Sequence, residues 1–583
     1  MGSPYHVSGS ASRHFPHDQS SAEYKALSII AKLLEHPQRT ILSTFIQQAF
    51  DKELAAQFLL AEISGHENDT ITEFLADWIS LLKKVRPVVC KELNDSLAQS
   101  VWRRDGGKCC ISKVQVDKNV NEGSTFVYIM PPSLFKDGDM VSNKRLHRIL
   151  AAYIGDERLE KLRSLLDYNT NSSHRDLTSQ IILLSTKVFE QVRNGRLSLK
   201  ASLPAATEFS ARYLAKTNAF LPLDQVETPR FITLENQAVD LTSLTSAQLL
   251  EAHHHFADAL AWLEVSEYMK QEHSTSDTLD TRDKASYDKK GPGKKSWSQW
   301  CLNYISRTIL HLWIQLPVAV RAFTYKSLAS VSCRFYGYTG SDRTYRLPFN
   351  LYLRMASSDW SSKHQAEYQA LKLVQKYTLI PAPRAIDVIK CSDSSFFLMT
   401  GLPGRGVGLM LPTMTDKQVD AIVQELKVYI AELRQIPNKT NSGFQICNAL
   451  GGGILDWRIG DSQREELRFR DEKEFNQYLI RDLPLDEDMR GLIAKSHCVQ
   501  HDIVFTHADL NLRNILVGED MKISGIVDWE CAGWYPGYWE CSKAHFTVRH
   551  TARWIADVVD QVFPQYRDEV RAEDVLSSLA PSW

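Results

Sequence analysis

One stretch of the chain divides it into two parts. Between Met269 and Ser296 apolar residues nearly vanish, and Ser, Thr, Asp, Lys and Gly replace them. A segment of this composition cannot bury enough apolar surface to fold, and it is typical of a linker. The 583-residue chain also exceeds the roughly 250–300 residues at which a single hydrophobic core stops growing. We therefore expect separate domains before and after residues 269–296.

The amino-acid composition indicates which classes of protein this chain can belong to. Hydrophobic residues make up 43% of the chain and charged residues 24%, which is ordinary for a globular protein and argues against global disorder. The net charge of −2 provides no general basic surface, which argues against a nucleic-acid partner. The cysteines follow no metal-binding or disulfide spacing, and Cys109 and Cys110 are adjacent. These features predict a reduced, cytoplasmic protein.

Neither a signal peptide nor a membrane span is expected. Residues 1–21 lack the apolar centre of a signal peptide, and we predict a disordered tail there. The most apolar stretch, Thr308 to Phe323, contains Pro317 and Arg321 and is shorter than the roughly 20 apolar residues that a spanning helix needs. We therefore predict no membrane partner. The sequence does not indicate an oligomeric state.

Polar residues follow apolar runs in the most informative segment, residues 503–530. The run that begins at Ile503 leads His507 and Asp509 into a loop that ends at Asn514, and a glycine-containing turn returns a strand that ends at Asp528. Phosphoryl transfer needs a carboxylate near the acceptor hydroxyl and oxygen ligands for Mg²⁺. We predict Asp509 as the acceptor's base, with His507 supporting its loop, and Asn514 and Asp528 as metal ligands. The alternative is that these residues are ordinary loop and strand caps.

The order of these residues resembles a known family. H-A-D-L-N-L-R-N-I-L-V at 507–517 and I-V-D-W-E-C-A-G-W-Y-P-G-Y-W-E at 526–540 are similar to the aminoglycoside-phosphotransferase and choline-kinase superfamily, especially its fungal members. The resemblance implies a bilobal, protein-kinase-like α+β fold, with an N-lobe at 335–400 and a C-lobe at 401–583. It also implies ATP and Mg²⁺ as cofactors and a small-molecule acceptor. The catalytic group then contains Asp509 and His507, and the metal site contains Asn514 and Asp528.

The resemblance extends to the N-lobe. Tyr345–Leu347 and Leu351–Met355 are predicted strands, a helix includes Gln365–Leu371, and Phe396–Thr400 is the strand that enters the hinge. Arg354 stands where the family has a lysine that binds phosphates, so full kinase activity is in question. The residues expected around ATP are Arg354, Glu367, Met399, Gly401, Leu402, Gly337 and Gly340.

Two further segments surround the predicted kinase core. Residues 297–334 are expected to form connecting helices with a break at Pro317 that pack on the following domain, although a membrane-surface helix is the alternative. The segment G-G-x-I-x-D-x-R, which ends in Asp456 and Arg458, resembles the part of the family that shapes the acceptor pocket. A simple loop explains its glycines equally well.

Residues 22–268 are expected to hold a helical region and an α+β domain. R-D-G-x-x-C from Arg104 onward resembles the opening of fungal HNH-endonuclease-like domains. Tyr128 stands where those nucleases have their general-base histidine, and Gln180 to Ser185 and Phe189 occupy the approximate positions of the other catalytic residues. We therefore predict a degenerate domain without nuclease activity. His253 to His255 are expected to face solvent because adjacent helical residues diverge by about 100° and cannot share one metal ion.

Three functions are compatible with these patterns. The first is ATP- and Mg²⁺-dependent phosphorylation of a small-molecule hydroxyl, in secondary metabolism or detoxification. The second is a pseudokinase joined to a degenerate nuclease as a non-catalytic scaffold, which Arg354 favours. The third is a kinase fold that carries out another transfer reaction, because a fold does not fix its chemistry.

Overall fold

A computed structural model of the protein falls into two compact units, Val7–Leu279 and Asp280–Trp583, the second also including Met1–His6. It describes residues 20–64, 67–91, 93–116, 124–142, 144–166, 174–201, 208–213, 231–234, 245–279, 312–336, 343–546 and 553–579. No helix within these ranges is both long and apolar enough to cross a membrane.

The N-terminal unit is built mainly from helices packed around aromatic side chains. Its centre contains Phe45, Trp78 and Tyr153, all fully buried, with the Phe45 and Trp78 rings 5.2 Å apart. Burying rings of this size supplies much of a domain's hydrophobic stabilisation. The described α-helices are Ala22–Leu33, Gln38–Gln47, Lys52–Ile63, Glu67–Val85, Asp95–Arg104, Arg145–Ile154, Asp156–Leu166, His174–Gln180, Thr186–Arg193 and Ala247–Leu279.

Two small antiparallel sheets complete this unit. The first has the order β1-β2-β3, from Val88–Val89, Ser124–Tyr128 and Ile181–Ser185. The second has the order β4-β5-β6, from Leu197–Ala201, Glu208–Tyr213 and Phe231–Thr233. Tyr128 pairs with Ile181 at the end of β2. The described residues establish a mixed helix-and-sheet unit and do not establish an HNH-like fold.

The last helix of the N-terminal unit differs from expectation in two ways. Helix Ala247–Leu279 continues through the first residues of the segment expected to be a linker. The prediction that its three histidines face solvent is wrong. His253 is buried against the Val192 carbonyl at 2.9 Å, and His254 and His255 are half-buried against Ser198 and the Gln48 carbonyl. Their side chains do diverge around the helix, but each one contacts another residue of the N-terminal unit.

The second unit begins, in its described part, with a helix packed on a sheet. Helix Val318–Tyr336 follows Pro317 and buries Ala322, Tyr325 and Ala329 against the sheet, which agrees with the predicted break and packing for this part. Residues 297–311 of the predicted connecting helices lie outside the described residues. The Tyr325 hydroxyl donates to the Asp387 carboxylate at 2.7 Å, and Arg321 pairs with the same carboxylate.

The N-lobe sheet has the order β7-β8-β10-β9 and is antiparallel throughout. Its strands are Thr344–Leu347, Leu351–Ser357, Ser394–Thr400 and Ala385–Lys390, in that order across the sheet. Helix Ser361–Tyr377 packs on it. The predicted strands and helix of this lobe are therefore confirmed.

The C-lobe holds two short sheets among helices. One has the order β11-β14-β15, from Arg405–Gly406, Ile515–Val517 and Ile523–Ile526, and the other has the order β12-β16-β13, from Cys447–Asn448, Gly533–Pro536 and Ile503–Thr506. Trp534, Tyr535, Tyr538 and Trp539 are buried in this lobe. The described helices are Val407–Met410, Asp416–Arg434, Glu472–Leu479, Glu487–His497, Trp539–Phe546, Trp554–Val559, Asp560–Val562 and Arg567–Leu579.

Candidate active site

The loop between β13 and β14 brings Asp509 and Asn514 together. The Asn514 amide donates from Nδ2 to the Asp509 carboxylate at 2.9 Å and to the Asp509 carbonyl at 2.9 Å. Asn511 donates to the same carbonyl, so the loop closes on itself. Burial raises the pKa of Asp509 to about 6, although the nearby Lys543 charge lowers it. A carboxylate with this pKa is mostly ionised at neutral pH and can accept a proton.

His507 supports this loop from behind. Its ring is fully buried, contacts the Val527 carbonyl through Nε2 at 3.0 Å, and lies 4.5 Å from the Trp529 ring. Its Nδ1 accepts from the Asp509 backbone N–H at 3.3 Å. Burial lowers the pKa of His507, which favours the neutral ring. The described hydrogen bonds of the His507 ring therefore join it to the backbone of residues 509 and 527.

Glu540 holds the same loop from the following helix. Its buried carboxylate accepts from the backbone N–H groups of His507 at 2.7 Å, Ala508 at 3.3 Å and Leu510 at 3.4 Å. Ala508 has a positive φ of 61°, which turns successive N–H groups toward one side of the loop. Glu540 was not predicted as a site residue, although it closes the motif that ends at residue 540.

A buried ion pair lies beside this helix. The Lys543 ammonium donates to the Asp456 carboxylate at 2.7 Å, and the Trp539 indole donates to the other oxygen at 2.8 Å. Asp456 and Lys543 are almost fully buried. Arg458 pairs with Glu573. The structure thus uses the acidic and basic residues of the predicted acceptor segment for packing inside the lobe.

Asp528 lies where β15 ends, on the other side of the loop. The Val527 N–H donates to the Asn514 carbonyl at 2.9 Å, which joins the end of the loop to the residue before Asp528. Asp528 has left-handed backbone geometry, with φ 70° and ψ 61°. Burial opposes ionisation of Asp528, but the charge of Arg354 outweighs it and holds the pKa below its usual range.

Arg354 reaches across from β8 to the acidic residues at the end of β15. One arm of its guanidinium donates from Nη1 to Glu530 at 2.5 Å, and the other donates from Nη2 to Asp528. Glu367, on helix Ser361–Tyr377, lies 3.3 Å from Nη2. Burial raises the pKa of Glu367 to about 8, in spite of the lowering effect of Arg354. Residues 354 and 367, both expected around ATP, contact each other, but Asp528 and Glu530 make the closer contacts with Arg354.

The hinge residues occupy the end of β10. Met399 is buried within the sheet, and Gly401 and Leu402 follow it half-buried. The Gly401 N–H donates to the Asn350 carbonyl at 2.6 Å, and the Asn350 side chain donates to the Gly401 carbonyl at 3.0 Å. Both backbone groups of Gly401 therefore already have partners. Gly337 and Gly340 lie outside the described residues.

The residues predicted to hold a metal fit one in chemical type. Asn514 uses its Nδ2 to bind Asp509, which leaves an amide oxygen, and Asp528 supplies a partly exposed carboxylate. Amide and carboxylate oxygens are ligands that Mg²⁺ accepts, usually together with phosphate and water. Among the described residues, no group of three or more His, Cys, Asp or Glu side chains is arranged to hold a metal by itself.

Comparison with known proteins gives a family match within the second unit. Residues 336–572 match the model of the phosphotransferase enzyme family, abbreviated APH. The match covers less than half of the chain. No curated protein gave a significant match to the chain.

Solved structures resemble the same part of the chain. They include an aminoglycoside phosphotransferase from Streptomyces rimosus in complex with ADP and streptomycin, at 15% identity, covering 45% of this chain and 98% of that one, with a TM-score of 0.30. A macrolide 2'-phosphotransferase from Brachybacterium faecium matches at 14% identity, 42% and 88% coverage and a TM-score of 0.28. A complex of gentamicin with another aminoglycoside phosphotransferase matches at 11% identity, 44% and 86% coverage and a TM-score of 0.29.

Proposed function

We propose that the domain at residues 336–572 transfers the γ-phosphoryl group of ATP, with Mg²⁺, to a hydroxyl group of a small molecule, in secondary metabolism or detoxification. The observation that carries this proposal is the hydrogen bond from Asn514 to the Asp509 carboxylate, in a loop whose end is joined to the backbone before Asp528. In this arrangement one carboxylate can receive the acceptor's proton beside two oxygen ligands suited to a metal.

Each residue near the reaction has a proposed role. Asp509 orients the acceptor hydroxyl and accepts its proton, and His507 fixes the backbone of that loop. Asn514 and Asp528 hold Mg²⁺, which would neutralise charge on the phosphates. Arg354, supported by Glu367, contacts the phosphates, Met399, Gly401 and Leu402 border the adenine, and Gly337 and Gly340 cover the phosphates. Because Gly401 is already paired with Asn350, adenine recognition would depend on its neighbours or on release of Asn350.

The test of this function is phosphate transfer by the full-length protein. We expect labelled ATP to phosphorylate an acceptor in a metabolite extract, and Asp509→Asn to lower kcat by about 1,000-fold, since general-base catalysis is worth this much. Asp520→Asn, the same change in the exposed turn of the β14–β15 hairpin, is the matched control and should keep wild-type activity. A calorimetric titration in which Mg-ATP does not bind at all would exclude the proposal.

A non-catalytic role is the second candidate, and one observation favours it. Arg354 pairs directly with Asp528, the residue assigned to the metal. A scaffold would bind nucleotide yet transfer nothing across a broad acceptor panel. Transfer of a whole nucleotide in place of a phosphoryl group, visible in the product mass, would indicate instead that the fold carries out a different reaction.

The other expectations stay predictions. They are the cytoplasmic location, the fungal affinity, the domain boundaries and the degenerate HNH-like nature of residues 22–268. Cleavage of plasmid DNA by the purified protein in Mg²⁺ or Mn²⁺ would contradict the last of these.

A further inference from the structure

The guanidinium of Arg354 occupies a position that a metal ion would need. Its two arms bind two different carboxylates at once, Glu530 through Nη1 and Asp528 through Nη2. The side chains of Arg354 and Glu530 are about 15% exposed, so solvent screens their contact weakly, whereas the Asp528 side chain is 34% exposed and its contact with Arg354 is screened more. Charge-assisted hydrogen bonds of this kind are among the strong ones in proteins. Asp528 is therefore held by a fixed positive charge.

A divalent cation and this guanidinium exclude each other at Asp528. Like charges a few ångströms apart repel each other, and the oxygen bound by Nη2 has less negative charge to offer a second cation. Glu530 pairs with Nη1 of the guanidinium, and Glu367 lies 3.3 Å from Nη2. Arg354 can leave Asp528 only if another anion replaces it, and the phosphates of a nucleotide are such an anion.

We propose that Arg354 gates the metal site: without nucleotide it covers Asp528 and keeps free divalent cations out, and a bound nucleoside di- or triphosphate draws it away. The inference rests on the proposed function, since it assumes a nucleotide at this site. It also gives a reason for arginine at position 354. A lysine has a single nitrogen, which cannot span Asp528 and Glu530 in the way that a forked guanidinium does.

The experiment measures Mn²⁺ binding to the full-length protein by electron paramagnetic resonance, with and without ADP. We expect wild type to bind Mn²⁺ weakly alone and about tenfold more tightly with ADP, a typical size for coupling between two ligands. Arg354→Met should bind Mn²⁺ about tenfold more tightly than wild type in the absence of ADP, because Asp528 is then uncovered. Arg354→Lys should give an intermediate affinity.

Arg513→Met is the matched control. Arg513 is exposed and acts electrostatically on Asp528. Among the described ion pairs, none joins Arg513 to Asp528. Its removal takes away the same charge without opening the gate, so Mn²⁺ binding should tighten much less than in Arg354→Met. If Arg513→Met and Arg354→Met increased Mn²⁺ affinity equally, net charge alone would explain the effect, and the proposed gate would be contradicted.

The remaining outcomes separate the gate from the proposed function. If wild type with ADP binds Mn²⁺ but Arg354→Met without ADP binds no more tightly than wild type, the gate fails and the proposed function stands. If wild type binds no Mn²⁺ even with ADP, both fail. Circular dichroism checks folding, and if Arg354→Met does not fold, Arg354→Gln must show the same tightening.

Discussion

At the scale of single residues, the loop that carries Asp509 is held by the Glu540 carboxylate through backbone hydrogen bonds. Glu540 accepts three backbone N–H groups from residues 507–510, and it is buried where water cannot take over those bonds. Buried N–H groups without acceptors are costly, and a carboxylate that satisfies several of them at once fixes the path of the chain. Glu540 is therefore a positioning residue for the loop.

Replacing Glu540 should reveal this role. We expect Glu540→Ala to lower the free energy of unfolding by about 2–4 kcal/mol, because it leaves three buried donors unpaired. Glu540→Gln keeps one acceptor oxygen and should lose clearly less. Urea denaturation measures both free energies of unfolding. Steady-state kinetics should show that the substitution changes kcat more than the KM for ATP. Equal stability losses in the two variants would argue that volume, and not hydrogen bonding, is what Glu540 contributes.

At the scale of secondary-structure elements, His501 joins two helices of the C-lobe. Its Nδ1 contacts Glu472 at 2.7 Å, at the start of helix Glu472–Leu479, and its Nε2 contacts Glu569 at 3.1 Å, on helix Arg567–Leu579. Burial lowers the pKa of His501, but the two carboxylates outweigh it and raise the pKa to about 9. The imidazolium thus holds the two helices together across neutral pH.

The pH dependence of stability tests this link. Because the folded-state pKa of about 9 exceeds the unfolded value near 6.5, the contribution of His501 is complete below pH 6.5 and disappears as pH rises through 9. We expect His501→Gln to cost about 2 kcal/mol at pH 6 and almost nothing at pH 10, by urea denaturation.

His497→Gln is the control, since burial lowers the pKa of His497 and its effect should have the opposite sign. Here protonation works against folding, so His497→Gln should not lose additional stability as pH falls. A constant cost of His501→Gln from pH 6 to pH 10 would contradict the charged bridge.

At the scale of the whole molecule, each unit has hydrophobic core clusters built from its own described residues. The core around Trp78 draws its described members from residues 26–263, whereas those of the second unit lie at 322–398 and 446–576. A unit that buries its own apolar residues can fold by itself. The family match begins at residue 336, close to the end of helix Val318–Tyr336.

This separation predicts the behaviour of fragments. We expect residues 312–583 to fold without the rest of the chain and to unfold cooperatively in calorimetry. A second fragment, 343–583, should be less stable because it lacks the helix that packs on the N-lobe sheet through Tyr325. Circular dichroism and thermal melting of the two fragments provide the comparison. If 312–583 stayed unfolded while the full chain folds, the second unit would depend on residues 1–311.

The sequence alone determined the features that depend on residues close together in the chain. Asp509 and Asn514 are five positions apart, and their spacing between two strand patterns placed them in one loop. The N-lobe strands and their helix followed from apolar alternation and helical periodicity, which arise from backbone geometry and need no knowledge of neighbours.

Only the tertiary structure decided which distant groups meet. The sequence placed Arg354 in a strand, but its attachment to Asp528 and Glu530 depends on how the N-lobe sheet faces the end of β15. The burial of His253, the pairing of Asn350 with Gly401 and the contact of Glu540 with the loop at 507–510 are of the same kind. Helical and strand periodicity identifies the face of an element that packs, whereas the partner of a polar side chain on it is fixed by packing between segments far apart in the chain.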